Sequence, residues 1–433
     1  MNGLGSNALQ DMDSGQRQVM AAELTGPVLV TGVTGTGKTH VALHRAVRLL
    51  EQNSRNTVLF CVPRRDLVAP AESLFAELAA GRPGFGARMT VTTLRDEAEE
   101  LHGYVGGRAP VMAPPDLVRD VIVSAFLDRG GLPHSADRLL AEWHEVIDPL
   151  RITTARAYAA APHVHGWPPL ADGERVALWP AFDHARHVFD ARMQLTDGAL
   201  MERMASYFAE AEDKPYTHLV LDDAGVLDAA SLRFAATLLP RGAPGLLVLA
   251  TDDGHPAIDD ILSAGLGLPG FSRHLRLRQS RIAPDEIVRL ALSFLPGEMR
   301  PQVVAASAGG EAALAFPDDE AGERAMIDGF VADCLSEGIA PEAIAVVDLS
   351  RERVGRSAPV AQKGVIRGGP AIVAGSDFDA ILVTGAPRVL LETATRGLPQ
   401  PDGYSHLPPL AARQVLSVGL AARKRLLVLA QTP

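Results

Sequence analysis

The chain has 433 residues, more than one ordinary domain holds, so two or more folded units are expected. Apolar residues make up 47% and charged residues 21%, with 40 Gly and 31 Pro, which excludes a disordered or fibrous chain. A net charge of -11 argues against wholesale wrapping by nucleic acid, yet it leaves room for a local basic groove. Two cysteines, Cys61 and Cys334, cannot build a disulfide framework, and their apolar surroundings read as buried thiols. The N-terminal stretch lacks the pattern of a secretory signal, and no apolar run approaches the ~18 residues of a membrane span. The expectation is a soluble, cytoplasmic protein with no membrane partner.

In chain order, "PVLVT" (27–31) reads as a buried strand that runs into a glycine-rich turn and then an amphipathic helix over 39–51. A second buried strand, "TVLFCVP" (57–63), precedes a helix over 66–80, and "RMTVTTL" (88–94) is the third strand. Between 109 and 212 the pattern turns helical and holds all three tryptophans, Trp143, Trp167 and Trp179; a helical insertion is expected there. "THLVLDD" (217–223) and "GLLVLATDD" (245–253) are strands with a helix between them. From 271 onward come a helix over 287–295, strands at 343–349, 369–375 and 378–386, a helix over 410–421, and a last strand at 425–431. The segment 351–369 reads as a loop. Apolar strands alternating with helices predict parallel sheets covered on both faces. The expected division is 1–108 and 213–270 for the first α/β domain, 109–212 for its insertion, and 271–433 for a second α/β domain.

"GVTGTGKT", Gly32 to Thr39, fits G-x-x-x-x-G-K-[ST], and it follows a buried strand and opens a helix, as the motif requires. Glycines let backbone N–H groups turn inward onto phosphate oxygens, and the helix N-terminus adds a favourable dipole. Gly32, Gly35, Thr36 and Gly37 are the expected cradle. Lys38 is expected on the β/γ-phosphates and the Thr39 hydroxyl on magnesium. Lys38 is one of only four lysines in a chain whose cations are otherwise arginine, which singles it out as a point charge. The bland alternative, a chance glycine-rich turn, does not account for both flanks. ATP and Mg2+ are therefore the expected cofactors. Asp222, ending "THLVL", is the expected second magnesium-site residue, whereas Asp228 suits the cap of the following helix.

The order of these pieces resembles the UvrD/Rep-type superfamily 1 DNA helicases over nearly the whole chain. "MDSGQRQVM" (12–20) is similar to that family's Q motif and implies that Gln16 reads adenine; an amide can both donate and accept at the base edge. "GVTGTGKTHVALHRA" resembles motif I, "VTTLRDEAEEL" (91–101) motif Ib, and "LVLDDAGVLD" motif II. "LATDDGHPAI" (249–258) resembles motif III, "LRLRQSRIAPDEIVRLA" (275–291) motif IV, "GSDFDAILVTGA" (375–386) motif V, and "VLSVGLAARKRLLVL" (415–429) motif VI. The resemblance implies two RecA-like P-loop NTPase domains with the nucleotide between them. It implies catalytic roles for Asp223 (orienting water), His255 (sensing phosphate) and Arg281 (stabilising developing charge). Single-stranded DNA is the implied partner, with RNA and a protein partner as alternatives.

The departures from the family pattern concentrate on hydrolysis. Asp223 stands where motif II has glutamate, a reach shorter by about 1.5 Å. A displacement of ~1 Å can cost on the order of 100-fold in rate. Gly225 and Val226 replace the glutamine and acid that follow, and His255 replaces the motif III glutamine. Motif V has Ala374 and Ser376 for its lysine and leucine. The Thr-Arg pair of motif VI aligns with Ala421 and Ala422, with Arg423 one position away. An arginine finger contributes ~10³ to 10⁵ in phosphoryl transfer, so its loss outweighs the shortened acid. Two readings follow: a helicase-like ATPase with weak hydrolysis and unwinding, or an impaired homologue acting as an ATP-gated DNA- or protein-binding subunit. A nucleotide kinase fits neither the motif order nor the second α/β domain. The histidines His163, His165, His184 and His187 lack a completing Cys or carboxylate, and the tryptophans read as the core of the insertion.

Overall fold

A computed structural model describes residues 12–23, 25–164, 167–252, 258–349, 360–362, 364–373, 375–396 and 410–431. His165, His255 and Ala374 lie outside these residues. The strands of the first half are β1 (Val28–Gly32), β2 (Val58–Cys61), β3 (Met89–Thr92), β4 (His218–Leu221), β5 (Leu246–Thr251) and β6 (Arg273–Leu277). Those of the second are β7 (Glu311–Ala315), β8 (Ile344–Asp348), β9 (Val360–Gln362), β10 (Val365–Gly368), β11 (Phe378–Ala386) and β12 (Ala422–Ala430). Among the described residues they form two six-stranded sheets, ordered β3-β2-β4-β5-β1-β6 and β7-β12-β11-β8-β10-β9. The first is parallel throughout, and the second is parallel except for the β9–β10 pair. These are two RecA-like α/β domains.

Strand alternation explains why the central strands have no polar face. Val28, Val30, Val58, Phe60, Val220, Leu247 and Leu249 point into one core, against helices α1 (Ser14–Ala21), α2 (Lys38–Gln52) and α3 (Val68–Leu78). The intervening Leu29, Leu59, Leu219, Leu221 and Val248 point into the opposite core. That second core is closed by α4 (Leu94–Gly106) and by helices that follow the insertion.

The insertion carries α5 (Pro115–Leu127), α6 (Ala136–Glu142), a π-turn at Trp143–Ile147, α7 (Ala155–Ala159) and α8 (Asp172–Ala191). Its core holds Trp143, Tyr158, Trp179 and Phe182, with Trp167 packed against it. At its centre Glu142 receives Arg138 Nη2 at 2.6 Å and the Tyr158 hydroxyl at 2.9 Å, with Arg175 Nη2 at 3.6 Å. Helix α9 (Asp197–Glu210) falls inside the expected insertion, yet Leu200, Met201, Met204 and Phe208 pack into the first sheet's core. The expected boundary at 212 therefore moves back, because the apolar stripe of α9 faces the sheet.

The remaining helices are α10 (Ala229–Thr237), α11 (Ile258–Gly265), α12 (Asp285–Ser293), α13 (Glu320–Ser336), α14 (Arg388–Arg396) and α15 (Leu410–Gly419). The boundary expected at 270 also shifts. Strand β6 pairs in parallel with β1, Val28 opposite Arg273 through Gly32 opposite Leu277, and so closes the first sheet. As an edge strand with exposed arginines it carries no apolar run to announce it. Two further expectations fail in the second domain. The strand expected at 369–375 is a short 3-10 turn at Pro370–Val373, since Pro370 cannot donate to a ladder. The loop expected over 351–369 includes β9 and β10.

Candidate nucleotide site

The P-loop leaves β1 at Gly32 and enters α2 at Lys38. Gly35 and Gly37 sit at φ 80° and 77°, the left-handed region that glycine reaches without steric cost. A Cβ on Gly37 would lie 2.6 Å from Gln16 Nε2, and one on Gly32 would lie 2.6 Å from Thr36 Oγ1, so the loop has no room for side chains there. Asp13 caps α1, and its backbone N–H donates to Gln16 Oε1. Gln16 Nε2 donates to the Thr36 carbonyl at 3.1 Å, which lays the Q-motif glutamine on the P-loop.

Lys38 is almost wholly buried, and its Nζ donates to the Gly32 carbonyl at 2.9 Å and the Val33 carbonyl at 3.2 Å. Burial lowers its pKa, opposed by the charges of Asp223, Asp222 and Asp252. The Thr39 hydroxyl donates to Asp222 Oδ2 at 2.7 Å. Burial raises the Asp222 carboxyl to about 6, against the Thr39 hydrogen bond and Lys38. Asp223 occupies a left-handed backbone position, φ 49° and ψ 46°, its N–H donates to Asp222 Oδ1, and its Oδ1 accepts the Thr251 hydroxyl at 3.0 Å. Lys38, Thr39, Asp222 and Asp223 are thus brought together at the carboxyl ends of β1, β4 and β5, where ligands bind in open α/β sheets.

A hydroxyl beside a carboxylate suits magnesium, which keeps several waters and takes its other oxygens from phosphates. Among the described residues no group of three or more His, Cys, Asp or Glu could hold a metal alone. The donor set therefore fits magnesium brought in with a nucleotide.

Arg281 is placed differently from a residue pointing at phosphate. Its Nη2 donates to Gln16 Oε1 at 2.6 Å and lies 3.9 Å from Asp13 Oδ2, while its backbone N–H donates to the Gly35 carbonyl. Ile282 covers Gly35, and Val33 is buried in the second domain's core beside Ala283 and Ile287, so the second domain grips the P-loop directly. Ala421 and Ala422, the positions expected for the Thr-Arg pair, are fully buried, and Arg423 is paired with Asp377 at the amino-terminal edge of the second sheet.

Residues 8–100 match the family model described as Type III restriction enzyme, res subunit. This match, which spans Gln16 and the whole P-loop, indicates similarity to a helicase family, whose members use ATP, generally with magnesium. It covers about a fifth of the chain. No curated protein matches the chain. Among the described residues no helix is long and apolar enough to cross a membrane.

Sequence reading offered the acids ending "LATDD" as the place of a phosphate sensor, and it missed Thr251 and the histidine pair of α2. Thr251 and Asp252 end β5; Asp252 donates its N–H to the Gly32 carbonyl at 3.0 Å and its charge acts on Lys38. His40 and His44 face each other along α2, their rings tilted with centroids 4.6 Å apart, and burial lowers both, His44 to about 4. No signal existed for the histidine pair beyond its i,i+4 spacing.

Proposed function

We propose that this protein is an ATP-dependent helicase-like protein of the UvrD/Rep type. It binds ATP-Mg through Gln16, Gly32, Gly35, Thr36, Gly37, Lys38, Thr39 and Asp222, takes single-stranded DNA as its partner strand, and hydrolyses ATP slowly. The observation that carries this reading is the Thr39–Asp222 hydrogen bond beside buried Lys38, inside a fitting P-loop. The family match at 8–100 supports it at the level of a helicase-type ATPase. Asp223, His255 and Arg281 are the residues proposed for the catalytic roles, Arg281 from a position where its guanidinium is bonded to Gln16, and the compartment is the cytoplasm.

Slow hydrolysis follows from the chemistry. Asp223 is a shortened water-orienting acid, and the positions that the resemblance gives to the Thr-Arg pair of motif VI are the buried alanines Ala421 and Ala422. Steady-state ATPase with and without single-stranded DNA, on wild type and Lys38→Ala, tests the reading. Slow turnover raised by DNA and abolished by Lys38→Ala supports it.

The second reading is an ATP-gated DNA- or protein-binding subunit without useful turnover. The observation favouring it is Arg281, whose guanidinium is bonded to Gln16. Nucleotide binding with no turnover under any condition selects that alternative.

A further inference from the structure

We propose that His274 is a positioning residue of the nucleotide site, a strut that holds α11 in register with the last residue before the P-loop. The inference rests on the nucleotide-binding reading above. His274 Nδ1 lies 2.8 Å from Asp259 Oδ2 and its Nε2 lies 2.7 Å from Thr31 Oγ1. A neutral ring serves both contacts: Nδ1–H donates to the carboxylate, which fixes the tautomer, and Nε2 accepts the threonine hydroxyl.

The geometry follows from strand register. His274 on β6 stands opposite Leu29 on β1, so Thr31, two residues further along the same face, is its diagonal neighbour. That face is otherwise apolar, formed by Leu29, Leu219, Leu221 and Val248. Thr31 is 1% exposed, and a hydroxyl buried there needs a partner. An edge-strand histidine provides it, and the histidine is in turn held by the first turn of α11.

Both ends of the strut reach the chemistry. Thr31 precedes Gly32, whose carbonyl accepts both Lys38 Nζ and the Asp252 N–H. Asp259 follows Ile258, which opens α11 and is the side chain nearest to Gly225 of motif II. The strut therefore ties the P-loop base, through β6 and α11, to the segment after β4 that carries Asp222 and Asp223. In the nucleotide-binding reading, the P-loop and Gln16 hold the parts that ADP and ATP share. Recognition of the γ-phosphate needs the P-loop and those acids in register, so the strut acts on the third phosphate.

The test measures affinities for ATPγS and for ADP, each with Mg2+, on the full chain. Wild type, Thr31→Val, His274→Ala, His274→Gln and the Thr31→Val/His274→Ala double variant are compared. The expected result is a preference for ATPγS over ADP that drops about fivefold in Thr31→Val and His274→Ala, with ADP affinity within about twofold of wild type. The double variant should fall no further, because both changes cut one chain of contacts. His274→Gln, whose amide can also bridge hydroxyl and carboxylate, should restore most of the preference. An unchanged preference in Thr31→Val and His274→Ala overturns the strut, as does a wild type that shows no preference. Equal loss of both affinities, tracking a lost folded fraction, overturns it too, since a purely structural role behaves that way. A wild type that binds neither nucleotide defeats the nucleotide reading itself, and the strut with it.

Discussion

The two α/β domains are built on one plan and differ in what stands at their strand ends. In the first, Lys38, Thr39, Asp222 and Asp223 are buried or half-buried, and each is held by a hydrogen bond. In the second, the positions matching motif VI are Ala421 and Ala422, absorbed into an apolar core with Val415, Leu416 and Val428. Its nearest arginine, Arg423, is exposed and paired with Asp377 on the far edge. Both sheets are apolar on both faces, so both fold. The contrast teaches that an α/β sheet keeps its architecture through its buried faces, while the charges at its rim can be lost without cost to the core.

The largest effect expected falls on the first domain. Lys38→Ala should remove nucleotide binding, on the order of 100-fold or more in affinity, because the cation that faces Asp222, Asp223 and Asp252 is lost. A titration with fluorescent nucleotide reads this, and retained affinity would break the comparison at its strong end. In the second domain, Ala421→Arg tests whether a finger can be put back. The site is fully buried, so an unpaired guanidinium should cost on the order of 3 to 5 kcal/mol rather than raise turnover. Thermal melting should show a drop of roughly 10 °C. An active, stable variant would mean that this position reaches the nucleotide after all.

Smaller effects sharpen the first domain's side. Thr251→Val removes the hydroxyl on Asp223 Oδ1 and should lower turnover about tenfold with ATP affinity within twofold, a cost of about 1.4 kcal/mol in the transition state. The smallest is a pH effect. Burial raises the Asp222 carboxyl from 3.8 to about 6, so the unliganded fold holds a proton there that the unfolded chain has released. Stability from this group is therefore greatest below 3.8 and is lost as pH rises from 3.8 through about 6. Magnesium-nucleotide binding needs the carboxylate, so its affinity should fall by up to about tenfold per pH unit below 6. Calorimetry in buffers of different ionisation enthalpy should detect proton release near pH 6, and Asp222→Asn should abolish it.

What could be read in advance follows the same division. β1, the P-loop and α2 were legible because a buried parallel strand, glycines at left-handed positions and an amphipathic helix each leave their own signal in adjacent residues. Asp222 was legible as the acid ending an apolar run, and Asp228 as a cap: it accepts the Ser231 N–H at 2.7 Å. β6 and β7 were not, because edge strands with half-exposed residues lack the apolar run. Thr251 on Asp223 and His274 on Thr31 join residues 28 and 243 positions apart, and nothing local in the chain encodes such contacts. Arg281 was placed by resemblance to phosphate-contacting arginines, and its bond to Gln16 depended on how α1 docks on the P-loop.

The central claim, strong nucleotide binding in one domain without a finger from the other, is most directly tested by single-turnover hydrolysis of bound ATP with saturating single-stranded DNA. The account predicts that ATP binds and is then cleaved at below about one per second, well under the ~10 per second typical of enzymes. DNA-stimulated cleavage at tens per second would contradict it.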